Sequence, residues 1–197
     1  MVFEDKKAIM AIGTLIMFIS VIVASMIAAA VLIQATGLLQ EATFEVEEDA
    51  REQLITGVDL YSIFAHANTS SEKIDGLEMF ARLQPGSSPV EMATTGLTLD
   101  HPGASTDAGL NESLTGSNCT FNNLDSDSEY CVDPRFGNND TILQQGELFV
   151  IKYGLSNETS MEPFTNFVLI MTPRIGGQTQ LNLRTPELIL EERFRLR

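Results

Sequence analysis

From Ala8 to Gln40 the chain carries no charged side chain, and Ile9 to Ile33 is almost wholly apolar. A membrane-spanning helix needs roughly 20 such residues, so this run is long enough to cross a bilayer. No later segment approaches it, since the next best, Phe167 to Met171, runs straight into Thr172-Pro173-Arg174. The chain therefore divides into one hydrophobic helix and a soluble remainder. Its 197 residues leave room for one ordinary domain of about 130–150 residues behind the helix.

The flanks of the run set its orientation. Lys6 and Lys7 precede it, and no Lys or Arg follows until Arg51. Positive charge is retained on the cytoplasmic side, and acidic residues such as Glu4 and Asp5 count for little in that rule. The bulk of the chain is thus expected outside the cell. A secretory signal would be cut after the apolar segment, near Gln34 to Gln40, but its apolar stretch is shorter than this one. The other arrangement places the cut before the helix, so that the mature protein keeps it.

Within the run, Ser20, Ala24 and Ala28 recur every four residues, with Ser25 and Ala29 alongside and Gly13 further up the helix. Residues at that spacing share one helical face, and small side chains there let a second helix approach closely. Leu15, Phe18, Ile19, Ile22 and Val23 lie opposite. Beyond Gly37 the pattern turns amphipathic: Leu39, Val46, Ala50 and Leu54 share a face, and Glu41, Glu45, Glu47, Glu48, Asp49 and Glu52 form an acidic flank. A helix from Ile9 to Glu52 would be roughly 65 Å long, more than a bilayer is thick.

The stretch Ala11-Ile12-Gly13-Thr14-Leu15-Ile16-Met17-Phe18-Ile19-Ser20, the run Ala28-Ala29-Ala30-Val31-Leu32-Ile33 and Gly37-Leu38-Leu39-Gln40 resemble the N-terminus of the archaeal flagellins (archaellins), members of the type IV pilin-like superfamily. Ile74-Asp75-Gly76-Leu77 and Pro85-Gly86-Ser87 are similar to a later strand and turn of that family. The resemblance implies that 1–8 is a class III signal peptide, a prepilin-type leader. Lys6, Lys7, Ala8 and Ile9 would be read by a prepilin-type leader peptidase that cuts between Ala8 and Ile9; the family usually has Gly at the position of Ala8. It further implies a 9–52 transmembrane and filament-core helix and a 53–197 extracellular domain. The partners it implies are other copies of the chain or related archaellins, the membrane before assembly, and the motor and assembly proteins of the archaellum.

After Arg51 the helical period gives way to short β-rich runs separated by turn residues, which predicts an all-β domain of Ig-like or β-sandwich type and an α+β chain overall. Expected strands are 54–64, 77–83, 97–99, 148–153, 166–171, 180–184 and 188–190. Thr69-Ser70-Ser71, Pro85-Gly86-Ser87-Ser88-Pro89 and Gly176-Gly177 mark turns. The alternation Arg193-Phe194-Arg195-Leu196-Arg197 reads as a terminal strand. The polar stretch from His101 to Asp140 is expected to be an exposed insertion, pinned by a Cys119–Cys131 disulfide if the domain is secreted; two free thiols are the alternative. Five of the ten asparagines, Asn68, Asn111, Asn118, Asn139 and Asn157, stand in N-x-S/T context, the acceptor pattern for N-glycosylation, although a loop rich in Ser, Thr and Asn also generates that pattern cheaply. Asp125, Asp127 and Glu129, with Asp133 and Asp140 nearby, have the alternation of a Ca²⁺ loop; a solvated acidic loop has the same composition.

A net charge of −15 with only four lysines argues against a nucleic-acid partner, which needs clustered Lys and Arg. Neither His66 nor His101 has a sequence neighbour that would make it a metal ligand or catalytic base, and no G-x-S-x-G, H-E-x-x-H or Walker loop occurs. The expectation is a non-enzymatic, cofactor-free subunit of a swimming filament, with an adhesion pilin as the alternative.

Overall fold

A computed structural model describes residues 2–68 and 71–196, with side chains from Ile9 onward. The side chains of Lys6, Lys7 and Ala8, the turn residues Thr69 and Ser70, and Arg197 lie outside the described residues. The chain forms two compact units, Met1–Asp49 and Ala50–Arg197.

The described residues of the first unit are helical throughout. Helix α1 (Val2–Ile55) runs unbroken, from inside the expected leader to three residues past the predicted end. Its Ser and Thr hydroxyls would be orphan donors in apolar surroundings, but each turns back onto its own helix. Ser20 donates to the Ile16 carbonyl and Ser25 to that of Val21, both at 2.8 Å, and Thr43 donates to that of Leu39 at 2.7 Å. The helix therefore presents no unsatisfied hydroxyl proton there to an apolar medium.

The second unit is a β-sandwich built from β1 (Val58–Asn68), β2 (Lys73–Leu83), β3 (Val90–Glu91), β4 (Gly96–His101), β5 (Ala104–Thr115), β6 (Glu129–Phe136), β7 (Ile142–Leu143), β8 (Leu148–Gly154), β9 (Asn166–Thr172), β10 (Thr179–Arg184) and β11 (Arg193–Arg195). Nine of them form one ribbon in the order β10-β9-β4-β5-β6-β8-β2-β1-β11, and β3 pairs with β7 apart from it. All ribbon neighbours are antiparallel except β5 and β6. The ribbon curls over, so that Thr179 on β10 donates to the Val58 carbonyl on β1 at 2.6 Å and Gly57 bridges Gly177. Period-2 patterning puts Ile63, Leu77, Met79, Tyr130, Val132, Ile151 and Tyr153 from one half against Leu97, Leu99, Phe167, Leu169 and Met171 from the other in a single core.

Three strand expectations change. The polar stretch 101–140 is not an insertion: β5 and β6 are central strands of the ribbon, and Ala108, Tyr130, Cys131 and Val132 are buried. Their Ser, Asp and Asn residues have low strand propensity, and neighbours supply what propensity lacks. Thr98 donates to Asp107 at 2.6 Å and Tyr153 to Thr106 at 2.6 Å. Within the polar stretch, 116–128 and the short segment 137–140 behave as the expected loop. The first strand begins at Val58 rather than Leu54, because α1 continues to Ile55. Residues 188–190 form no strand; the edge strand is β11, paired with β1 through Phe64–Arg195, Ala65–Phe194 and His66–Arg193, as the Arg/Phe alternation predicts.

The end of α1 is capped by residues far along the chain. Ser87, in the Pro85-Gly86-Ser87 turn, donates to the Ile55 carbonyl at 3.1 Å and accepts from the Gly57 amide at 3.0 Å. Gly177 donates to the Thr56 carbonyl at 2.8 Å. Gly176 adopts φ +116°, and a Cβ there would lie 2.5 Å from the Thr56 carbonyl oxygen, so glycine is required by both the backbone angle and the space.

Candidate functional site

The assembly element is the apolar helix. Gly13, Ser20, Ala24 and Ala28 project within roughly 80° of one another around a straight helix, as their spacing predicts. The bulky residues around them are unburied: Phe18 is 71%, Ile33 72% and Met17 70% exposed. An apolar surface of this extent is far larger than the patches that monomeric soluble proteins leave in water. It requires a lipid environment or other helices.

The outer domain carries the other sequence-predicted positions. Cys119 and Cys131 are joined in a disulfide, both essentially inaccessible to solvent. It ties the loop 116–128, with its 3₁₀ turns Gly116–Asn118 and Phe121–Asn123, to β6. Asn68, Asn118, Asn139 and Asn157 are exposed, whereas Asn111 is half-buried and its carboxamide donates to Glu129 at 2.6 Å. Asp127, Glu129 and Asp133 of the expected Ca²⁺ loop serve separate partners. Asp127 accepts from the Ser156 amide and the Thr159 hydroxyl, and Asp133 pairs with Arg135 at 3.2 Å. Glu129 takes the Asn111 bond. Among the described residues no three His, Cys, Asp or Glu side chains converge as a metal-binding group.

One polar cluster was not legible in the sequence. On the outer face of the sheet, Glu78 of β2 accepts from Arg193 Nε of β11 at 2.8 Å and lies 3.3 Å from His66 Nε2 of β1. The hydrogen bond from His66, followed by the Arg193 bond and charge, outweighs partial burial and pulls the Glu78 carboxyl down to about 2 from 4.5. Phe121 from the disulfide-tied loop packs on the His66 ring at 4.5 Å. The Phe121 ring also sits over Gly76, where a Cβ would meet it at 2.7 Å. The residues are distant in sequence, and only the pairing of three strands joins them. In the core, burial pushes the Tyr153 hydroxyl up to about 12 and the Tyr130 hydroxyl above its ordinary value. Tyr130 shares its proton between the Met92 and Thr95 carbonyls, each at 2.8 Å.

Comparison with known proteins agrees with this arrangement. The sequence pattern of the archaeal-type flagellins matches residues 8–183. The chain belongs to the archaeal-type flagellin family. Flagellin B3 of Halobacterium salinarum is 26% identical over 191 residues, covering 96% of this chain and 94% of its own. Flagellin A2 of Haloferax volcanii is 28% identical over 206 residues, covering 93% and 91%. Among solved structures, the archaeal flagellum of Methanospirillum hungatei strain JF1 matches with a TM-score of 0.68 at 13% identity, over 90% of this chain and 94% of that one. The crystal structure of flagellin FlaB1 from Methanocaldococcus jannaschii matches with a TM-score of 0.63 at 16% identity, over 72% and 96%. At these identities the structures show the shared fold, an apolar helix followed by a β-rich domain. This flagellin is a structural subunit of the archaeal flagellum, an extracellular filament, and its family is one of structural proteins.

Proposed function

We propose that this flagellin is made as a membrane-inserted precursor, cut between Ala8 and Ile9 by a prepilin-type peptidase, and polymerised through α1 into a filament that drives swimming. The observation that carries this reading is the unburied apolar surface of α1, together with a small-residue face that fits close helix packing. In lipid the helix is already surrounded by apolar tails, so transfer into a filament core must be favoured by close packing rather than by hydrophobicity alone. In the polymer the β-domains form the outer layer, and their exposed N-x-S/T asparagines serve as glycan acceptors. Rotation is supplied by other proteins of the flagellar motor, and the chain itself performs no catalysis.

Deleting the gene separates this reading from an adhesive pilus. The expected result is loss of swimming with surface attachment retained. Loss of attachment with normal swimming contradicts it.

A further inference from the structure

Asn118, Cys119 and Thr120 form an acceptor tripeptide whose middle residue is one half of the disulfide. Asn118 is exposed, but Cys119 is only 1% accessible. The backbone around it is held at several points. The Cys119 amide donates to the Gly116 carbonyl at 3.0 Å, Asn123 Nδ2 donates to the Asn118 carbonyl at 3.1 Å, and Lys152 Nζ donates to the Cys119 carbonyl at 2.8 Å. A glycosyl-transferring enzyme must hold the asparagine carboxamide at its reacting centre while reading the hydroxyl two residues on. The whole tripeptide must therefore be lifted away from the protein. With Cys119 buried and cross-linked to β6, this segment cannot be lifted.

We infer that closure of the Cys119–Cys131 disulfide gates glycosylation of Asn118, so that the glycan is added only while the two thiols are still reduced. The inference rests on the reading of the N-x-S/T asparagines as glycan acceptors. In the modification, Asn118 Nδ2 forms a bond to the anomeric carbon of an oligosaccharide carried on a lipid phosphate. The bond from that carbon to the phosphate oxygen breaks, the lipid phosphate leaves, and the carboxamide nitrogen gives up one proton. In the competing step the two thiols lose two protons and two electrons to a thiol–disulfide exchange oxidant, and the loop closes. Cross-linking a loop of this length lowers the population of open conformations on the order of 100-fold, so whichever reaction comes first decides the fate of the site.

The other acceptors provide internal standards. Asn139 is exposed on a loop without a cross-link of its own. Asn111 is held by Glu129, and the Thr159 hydroxyl of the Asn157 tripeptide is held by Asp127; both holders lie between Cys119 and Cys131, so these two sites report whether opening the disulfide loosens the whole closed segment. The test is glycopeptide mass spectrometry of all five sites in the full chain, made in the cells that build the filament, for wild type, Cys119→Ser and Cys131→Ser. Both variants keep an acceptor tripeptide at Asn118, because only Pro in the middle position abolishes one. The expected result is Asn118 occupancy several-fold below that of Asn139 in wild type, rising to the Asn139 level in both variants, with Asn111 and Asn157 unchanged. Equal Asn118 occupancy in wild type and variants overturns the inference. A parallel rise at Asn111 and Asn157 also overturns it, since that would report general unfolding rather than a local gate. Absence of glycan from every site overturns the glycoprotein reading itself, and the inference with it.

Discussion

Replacing Glu78 with Gln should remove a pH-dependent contribution to stability whose size follows from the cluster's geometry. The carboxyl ionises at about 2 in the folded chain, against 4.5 for an ordinary glutamate. A folded value below the unfolded one means that the native state favours the ionised form, so the stabilisation is fully present above about pH 5 and disappears as pH falls through about 2. Taken at face value the difference is worth roughly 3 kcal/mol at neutral pH. Arg193 is 44% and His66 29% exposed, so solvent screening reduces this to about 1–2 kcal/mol. The assay is urea unfolding of the full chain in detergent micelles, followed by tyrosine circular dichroism between pH 2 and 8. Wild type should exceed the variant by that amount at pH 7, and the two should converge near pH 2. A gap that stays constant across the whole range would show that the effect is packing and would refute the electrostatic account. Because Arg193 belongs to β11, amide exchange at Leu196, which donates to the Ile63 carbonyl at 2.8 Å, should also accelerate in the variant.

Two further perturbations test other parts of the structure. Ala24→Leu and Ala28→Leu keep α1 apolar but fill its small-residue face, at a cost on the order of 1–3 kcal/mol per subunit from overpacking; processed subunits should accumulate in the membrane with few filaments by electron microscopy, whereas Ala104→Leu in the outer domain leaves filaments intact. Normal filament number and length in the helix variants would show that this face is not the core contact. Reducing the Cys119–Cys131 disulfide frees a short loop and should lower outer-domain stability by about 2–4 kcal/mol, read as a fall in the urea midpoint on adding dithiothreitol, and an unchanged midpoint would contradict it.

The parts of this protein that sequence makes legible are those governed by local pattern. The uncharged run fixes α1, short apolar runs bounded by turn residues find β8 and β9, and the Arg/Phe alternation at the end gives β11. What pattern misses is set by pairing across long separations. β5 holds few strand formers, yet lies mid-ribbon because β4 and β6 take its backbone hydrogen bonds and Asp107 and Thr106 accept from side chains on β4 and β8. The low apolar content of 101–140 therefore looks like a loop until those partners are known. The Glu78 cluster is hidden for the same reason, since its members come from three strands. Ser87 is legible as a turn residue but not as the group that satisfies the end of α1, a role created only when the turn folds back onto Ile55 and Gly57.

The central claim is that this chain, cut before its apolar helix and retaining it, builds the filament. Surface filaments sheared from cells and analysed by intact-mass and N-terminal peptide mass spectrometry test it most directly. The account predicts that the filament subunit is this chain beginning at Ile9. A subunit that begins after Gly37, one that retains Met1, or filaments without this chain would contradict it.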